Sequence, residues 1–148
     1  MTFSEKAAPE WPLLRLYELI SGPGDHERPW EEISSLFLPE ARIRMEVADE
    51  DGSVRSFDWS ADEFARDATE HYRRAGFWER EIARRTDFFG NIAHVFSTYE
   101  SRVGKPDGPP VARGINSVQL LRREGTWRIA GIVFHIEKPA TPIPDEYL

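Results

Sequence analysis

The sequence contains no cysteine, and this absence removes several kinds of chemistry together. Disulfide bonds, catalytic thiolates and thiolate metal sites all require cysteine. A chain without disulfides also suits a reducing compartment, so we expect a cytoplasmic protein. Residues 1–11 lack the order of basic and then apolar residues that marks a secretory signal peptide, and we therefore expect no such signal.

Long apolar runs and lysine are also scarce. No apolar run approaches the roughly 18–20 residues that a membrane-spanning helix needs, so we expect no membrane partner. The formal net charge is −7, and the positive charge comes almost entirely from arginine. Binding to a nucleic-acid backbone needs clustered positive charge. The arginine pairs 73–74, 84–85 and 122–123 all have acidic neighbours, so we expect solvated faces and no nucleic-acid partner, with an anion site as the alternative.

The residues that are present suit one folded domain. The chain has 148 residues, of which 40% are hydrophobic and 30% are charged, and domains of this length and composition are common. Pro12, followed by apolar residues at helical spacing, predicts a first helix that ends at the breaker residues 21–24. A second helix is predicted from Pro29 to just before Pro39, with Phe37 in its apolar stripe.

A third helix has the clearest start signal in the chain. Ser60 and Glu63 form a capping box, in which each side chain hydrogen-bonds the other residue's backbone N–H. This pattern predicts a helix over 61–75 that Gly76 closes. Its apolar stripe consists of Phe64, Ala68, Tyr72 and Ala75. We expect this stripe to pack across a sheet.

Strand patterns fill most of the remaining chain. Residues 42–47 alternate polar and apolar, and with 53–59 they predict a hairpin. Four long strands are predicted at 77–89, 91–103, 111–123 and 126–137. Antiparallel strands of about 12 residues are about twice the usual length and must coil strongly, which leaves a concave side for helices. We therefore predict an α+β cone-shaped barrel, with three helices from the N-terminal half packed on a curved, mostly antiparallel sheet of about six strands, and a Pro-rich surface tail at 138–148.

Three stretches carry a resemblance to a known family: Gly90-Asn-Ile-Ala-His-Val95, Arg113-Gly-Ile-Asn-Ser-Val-Gln-Leu120 and the Gly125-Thr-Trp127 hairpin. With the order of the elements, they resemble the nuclear transport factor 2-like superfamily and, within it, the SnoaL-like proteins of unknown function. The resemblance covers nearly all of 1–148. It implies a single cone-shaped domain, often a homodimer, with a pocket between sheet and helices. Members of the superfamily include isomerases, dehydratases, polyketide cyclases and assembly domains, so the fold alone selects no function.

Pairing the predicted strands about their loop centres assigns each side chain to a face. This places Thr98 opposite Asn116, which in turn lies opposite Val133, and it places Gly114 between Glu100 and His135. The face predicted to form a ligand pocket carries His94, Phe96, Thr98, Glu100, Asn116, Val118, Leu120, Val133 and His135. The other face carries Val95, Ser97, Ile115, Ser117, Ile132 and Phe134. Neither face has the clean polar alternation of a solvated sheet, so we expect a homodimer through the second face.

Three residues on the predicted pocket face are candidates for acid/base chemistry. Glu100 and His135 flank Gly114 at roughly 9–10 Å, two strand spacings, and burial would bring either pKa towards neutrality. The alternative is that both are solvated or paired with Arg102 and Arg113. His94 is the third candidate, and its alternative is a core histidine held by one hydrogen bond.

The other histidines and motifs indicate no further chemistry. His71 is predicted at the rim of the core and His26 in an exposed loop. The histidines lack metal-ligand spacing, so we expect no metal and no cofactor. Three functions remain: a pocket that binds a small, partly apolar molecule; a cofactor-free acid/base enzyme of the isomerase, dehydratase or polyketide-cyclase type; and a structural or assembly partner.

Overall fold

A computed structural model describes residues 6–148. Within them it contains three helices, α1 (Trp11–Ile20), α2 (Trp30–Ser35) and α3 (Ala61–Tyr72), and a short 3-10 helix at Asp145–Tyr147. The strands are β1 (Phe37–Ala48), β2 (Val54–Trp59), β3 (Phe77–Phe89), β4 (Ile92–Val103), β5 (Ala112–Arg123) and β6 (Thr126–Ile136). The predicted α+β fold is confirmed. Of the helices in the described part of the chain, none has the length and apolar character needed to cross a bilayer.

The helices begin where the sequence predicts. Pro12 lies in the first turn of α1, which needs no N–H there. The Ser60 hydroxyl caps α3 by accepting the Glu63 backbone N–H at 3.1 Å. Ala68 and Tyr72 of α3 are buried against the core, as its apolar stripe predicts. The helix ends at Tyr72, one turn earlier than predicted.

The six strands form one sheet in the order β2-β1-β6-β5-β4-β3. Strand β1 runs parallel to β6, and the other neighbours are antiparallel. Phe37 starts β1 and does not belong to α2, so the prediction for this residue is wrong. Pro39 lies in an irregular part of β1, between Phe37 and Arg42, where the pairing with β6 shifts register. Proline has no N–H for a regular ladder, which accounts for its place there.

Two irregularities bend the long strands. The pairing of β3 with β4 shifts between Glu81 and Ala83, and the pairing of β5 with β6 shifts between Gln119 and Leu120. Such bulges increase the local twist and bend a sheet. The sheet therefore curls, and α1 and α3 fill its concave side. Leu13 of α1 packs there with the fully buried Val118 and Ile129.

The curl gives the sheet an inner and an outer face. The inner face, towards the helices, carries Val95, Ser97, Tyr99, Asn116, Val118, Ile132 and Phe134. The outer face carries His94, Phe96, Thr98, Glu100, Ile115, Ser117, Val133 and His135.

The Pro-rich tail, 138–148, crosses part of the outer face. The Thr98 hydroxyl donates to the Tyr147 carbonyl oxygen at 2.7 Å, which leaves Thr98 only 1% exposed. The Tyr147 ring lies edge-on to Phe96 at 5.1 Å and under the Arg85 guanidinium at 4.7 Å. The chain itself therefore covers a part of the outer face.

Candidate functional site

The inner face of the sheet and helices α1 and α3 enclose a pocket of about 490 Å³. Most of its walls are aromatic or aliphatic. Phe57 and Trp59 stack at 5.1 Å between ring centroids, and Trp59 meets Phe64 edge-on at 5.8 Å. An apolar cavity that contains a few polar groups is the usual form of a small-molecule site.

Glu79 of β3 is the acidic residue that lies in the depth of this pocket. Its backbone is fixed by Ser21, which follows α1. The Glu79 N–H donates to the Ser21 hydroxyl at 3.0 Å. That hydroxyl in turn contacts the Tyr17 carbonyl oxygen at 2.7 Å and the Glu79 carbonyl oxygen at 3.2 Å. One serine thus ties the end of α1 to the strand that carries Glu79.

The Glu79 carboxyl is poorly solvated. The side chain lines the pocket and is partly buried. Burial raises the pKa of Glu79 to about 7, and the nearby side-chain amide of Asn116 opposes this shift. No charged group of residues 6–148 contributes to the shift. Glu79 therefore lacks the cation that normally accompanies a buried carboxylate.

A chain of hydrogen bonds leads from Asn116 through the hydroxyls to Glu81. Asn116 Nδ2 donates to Tyr17 Oη at 2.9 Å, Tyr17 Oη and Ser97 Oγ lie 2.8 Å apart, and Ser97 Oγ donates to Glu81 Oε2 at 2.6 Å. An ionised Glu81 only accepts, so Ser97 must donate to it and Tyr17 must donate to Ser97. Tyr17 then accepts from the Asn116 amide, which fixes the amide's orientation. Burial also raises the pKa of Tyr17.

Tyr99 lines the pocket beside this chain, and Gly114 makes room for it. A Cβ atom on Gly114 would lie 2.5 Å from Tyr99 Oη and 2.6 Å from the His135 carbonyl oxygen. Glycine is therefore required at position 114 for the close approach of the Tyr99 ring. Burial raises the pKa of Tyr99, so its hydroxyl stays protonated.

The mouth of the pocket also carries polar side chains. Asp67 accepts a hydrogen bond from Trp59 Nε1 at 2.8 Å. His71, one turn further along α3, also lines the mouth and is exposed, near the core rim where the sequence predicts it. His26 is exposed in its loop, as predicted.

The predicted strand register is wrong by one residue in the middle of both hairpins. Asn116 pairs with Ser97 on one side and with Phe134 on the other. The prediction for β5 and β6 holds at the turn, where Arg123 pairs with Thr126, but the bulge before Gly131 shifts the rest. In β4 and β5 the connecting loop is too long to fix the register by turn geometry. A slip of one residue exchanges the faces of a strand.

This slip separates the predicted site residues. Asn116 lines the pocket. Val118 and Leu120 also lie on the inner face, but they are buried in the core. The outer face holds His94, Phe96, Thr98, Glu100, Val133 and His135. The hypothesis that all nine converge on one cavity is therefore wrong.

The three predicted acid/base candidates have ordinary partners on the outer face. Glu100 is held by Arg102 at 2.8 Å and Arg80 at 2.7 Å, and the Arg102 hydrogen bond lowers the pKa of Glu100. His94 Nε2 lies 2.9 Å from an Asp87 carboxylate oxygen. His135 Nε2 lies 3.2 Å from the Thr141 hydroxyl. Glu100 is thus paired with arginines, as in the alternative that the sequence left open.

The predicted dimer interface is also wrong. Of its six residues, only Ile115 and Ser117 lie on the outer face. Val95 and Ser97 are buried beneath the helices, where Ser97 bonds to Tyr17. A second copy of the chain has no access to them.

Sequence reasoning missed Glu79, Tyr17 and Tyr99 as pocket residues. A usable signal exists for Glu79, because the strand 77–89 places Phe77 and Glu79 two residues apart and therefore on one face. This phase places Glu79 on the same face of the strand as Phe77, but it does not specify which face meets the helices. Tyr17 lies on the predicted apolar stripe of the first helix, where its hydroxyl carries no separate signal.

Neither a protein-family model nor a curated protein matches the chain. Solved structures do match it. An NTF2-like protein of unknown function from Silicibacter pomeroyi DSS-3 is 20% identical, with a TM-score of 0.58 over 93% of this chain and 100% of that chain. A second such protein, from Methylobacillus flagellatus KT, is 19% identical, with a TM-score of 0.58 over 93% and 96%. A protein of unknown function with a cystatin-like fold, from Nostoc punctiforme PCC 73102, is 11% identical, with a TM-score of 0.62 over 90% and 93%. The chain has the fold of the nuclear transport factor 2-like proteins.

Proposed function

We propose that the pocket binds a small, partly apolar molecule whose polar end lies against Glu79. The observation that carries this proposal is a carboxyl with no cationic partner among residues 6–148, placed in a largely apolar cavity. Burying such a group without a partner costs free energy. Strongly shifted pKa values concentrate at functional sites, where the group acts on a ligand.

The polar end of the pocket favours a neutral ligand group. With a pKa of about 7, Glu79 donates a hydrogen bond when protonated and accepts one when ionised. Tyr17 is already engaged by Asn116 and Ser97. A ligand carbonyl or hydroxyl therefore suits the Glu79 end, while a planar apolar body suits the stacked rings at the mouth.

Ligand-induced thermal stabilisation tests this proposal. Small cyclic molecules with one carbonyl or hydroxyl group are screened against the unchanged protein, Asn116→Leu and Gln119→Leu. A ligand that binds the folded state raises the melting temperature. We expect stabilisation of the unchanged protein and of Gln119→Leu, whose residue is exposed on the other side of the same strand. Asn116→Leu should lose it. Equal stabilisation of all three proteins contradicts binding at this end of the pocket.

A second candidate function is cofactor-independent acid/base catalysis of the isomerase, dehydratase or cyclase type. The specific observation is again the pKa of Glu79, since a general acid or base works best with a pKa near the working pH. Glu79→Gln keeps the shape of the side chain but transfers no proton. If the protein is an enzyme, this variant binds substrate and loses turnover. If the protein only binds the molecule, neither the variant nor the unchanged protein shows turnover in any activity assay.

We further propose a homodimer through the part of the outer face that the tail leaves open. Phe96 and Val133 are 36% and 58% exposed there, and a second copy would cover them. Light scattering with Val133→Lys is the test, and Val111→Lys, at an equally exposed valine preceding β5, is the matched control. Loss of the dimer in Val133→Lys alone supports this interface, and a monomeric unchanged protein contradicts it. Within the nuclear transport factor 2-like proteins, we also propose a particular likeness to the SnoaL-like proteins. It rests on the three sequence stretches alone.

A further inference from the structure

A second cavity, which we call the basic groove, lies at the other end of the sheet from the pocket mouth. It has a volume of about 670 Å³ and is bounded by the start of α1, the end of α2 and the β5–β6 turn. Its charged residues are Lys6, Arg15, Arg122, Arg128 and Glu32. Four cations and one carboxylate thus line a groove on a chain whose net charge is −7. The sign of the groove is opposite to that of the protein.

One of these cations is neutralised by acids. Arg15 forms ion pairs with Glu32 at 3.0 Å and with Glu18 at 2.9 Å. Lys6, Arg122 and Arg128 form no ion pair with any carboxylate of residues 6–148. Among residues 6–148, three positive charges of the groove therefore have no acidic partner.

Neutral groups hold these cations in place. Lys6 Nζ lies 5.4 Å from the centroid of the Trp11 ring, and the Arg122 guanidinium lies 5.4 Å from that of Trp127. Arg122 Nε also donates to the Asn91 side-chain oxygen at 3.0 Å. Indole rings and an amide restrain a cation without removing its charge. The entropy of ordering these side chains is thus partly lost before any ligand arrives.

The third cation is fixed in the same way. Arg128 Nη1 donates to the Ser35 carbonyl oxygen at 2.6 Å, at the end of α2. Like charges that line one groove repel each other, and an anion placed among them removes that repulsion. Planar guanidinium groups also match the oxygen geometry of phosphate.

We propose that the basic groove binds the phosphate or pyrophosphate group of a small molecule. Three restrained cations with no acidic partner in the described part of the chain suit a multiply charged oxyanion better than a single carboxylate. The groove is separate from the pocket, shares no lining residue with it, and this inference is independent of the function proposed above.

Calorimetric titration with inorganic pyrophosphate and with phenyl phosphate, at constant ionic strength, tests the proposal. The variants are Arg122→Gln and Arg128→Gln. The matched control is Arg123→Gln, which makes the same change of charge at the next residue, where the side chain pairs with Glu40 outside the groove. Loss of one charge-assisted hydrogen bond weakens binding about tenfold or more. We expect that loss in Arg122→Gln and Arg128→Gln, and less than a twofold change in Arg123→Gln.

An NMR titration with the same two compounds provides a second measurement, which follows the indole N–H signals of the tryptophans. Binding in the groove shifts the signals of Trp11 and Trp127, which line it, and leaves that of Trp59 at the pocket mouth unchanged. Tighter binding of phenyl phosphate than of pyrophosphate, or the reverse, identifies the preferred source of the phosphate, and either supports the site. Equal weakening in all three variants, a shift of Trp59 alone, or no saturable binding of either compound overturns the proposal.

Discussion

Asn116 and Tyr17, which are 99 residues apart in the chain, share a buried hydrogen bond of 2.9 Å. This bond joins α1 to β5 at the polar end of the pocket. Ser97 and Glu81 extend the chain of hydrogen bonds away from the pocket. They also decide which group donates and which accepts in each bond. The Asn116 amide is consequently oriented by Tyr17, whose own hydrogen bond is set by Ser97 and Glu81, and the amide favours the ionised form of Glu79.

The first prediction concerns the effect of Asn116 on the carboxyl. Asn116→Leu removes the N–H group that stabilises the ionised form of Glu79, so the pKa of Glu79 should rise above its present value of about 7. A pH titration of the glutamate side-chain carboxyl signals by ¹³C NMR measures this. Gln119→Leu on the opposite face should leave the Glu79 titration unchanged. An unaltered Glu79 midpoint in Asn116→Leu would show that the amide does not act on the carboxyl.

The second prediction concerns stability and pH. The pKa of Glu79 is raised on folding, so the folded state binds its proton more tightly than the unfolded state does. The stabilisation from this proton is fully present below the unfolded pKa, near 4.3, and is lost as the pH rises through about 7. The amount is about 3 kcal/mol, from the size of the shift. Glu79→Gln lacks this pH-dependent stabilisation, because its side-chain amide does not titrate.

Urea unfolding at several pH values checks the second prediction. The difference in unfolding free energy between Glu79→Gln and the unchanged protein should move in favour of the variant between pH 4.5 and pH 8. Glu46→Gln is a suitable control, because Glu46 lies on the opposite face of β1, where it accepts from Ser56. A pH-independent difference for Glu79→Gln contradicts a raised pKa.

The third prediction concerns Gly114. A methyl group at this position meets both the Tyr99 hydroxyl and a backbone carbonyl at distances that atoms do not adopt. Gly114→Ala should displace the Tyr99 ring from the pocket wall and destabilise the fold by about 1–3 kcal/mol. Gly108→Ala, in a loop where an added Cβ meets only ordinary contacts at 3.7 Å, should change stability little. Thermal unfolding compares the two variants, and equal melting temperatures would contradict the close approach of Tyr99.

The fourth prediction concerns Arg28, a residue that is 5% exposed and whose guanidinium has backbone carbonyls as its partners. It donates to the carbonyl oxygens of Ile20 at 3.1 Å, Pro23 at 2.9 Å and Gly22 at 2.6 Å. These bonds close the loop between α1 and α2. Arg28→Lys keeps the charge but cannot reach several carbonyls at once, so it should lose about 2 kcal/mol or more of stability. Arg66→Lys, on the exposed face of α3, is the control, and tolerance of both changes contradicts the bracing role.

The sequence predicts the elements of this fold well because their signals are local. The Ser60 cap starts α3 where expected, and the Glu124-Gly125 turn places β5 and β6 in the correct pairing at the hairpin end. The bulge that shifts this pairing lies several residues away, and alternating residues do not reveal it. Such a bulge adds one residue to a strand and bends the sheet, but it leaves no mark in the local sequence pattern.

The site was less predictable because it depends on the register of β4 against β5, which the long loop between these strands does not specify. With the pairing displaced by one residue, His94 and Glu100 move to the outer face, and Ser97 and Tyr99 take the inner one. Asn116 lies in the pocket as predicted, because inner and outer residues alternate regularly along β5. The role of Glu79 needed the position of α1 above β3, which no local pattern specifies.

Spectral titration with a small neutral ligand tests the central claim most directly. We propose 2-naphthol, which has a planar apolar body and one hydroxyl group, added to ¹⁵N-labelled protein. We expect saturable shifts of the Asn116 side-chain amide and the Trp59 indole N–H, which lie at the two ends of the pocket, with no shift of the Trp127 indole outside it. Shifts confined to Trp127, or no saturable shift of Asn116 and Trp59, would contradict a ligand-binding pocket.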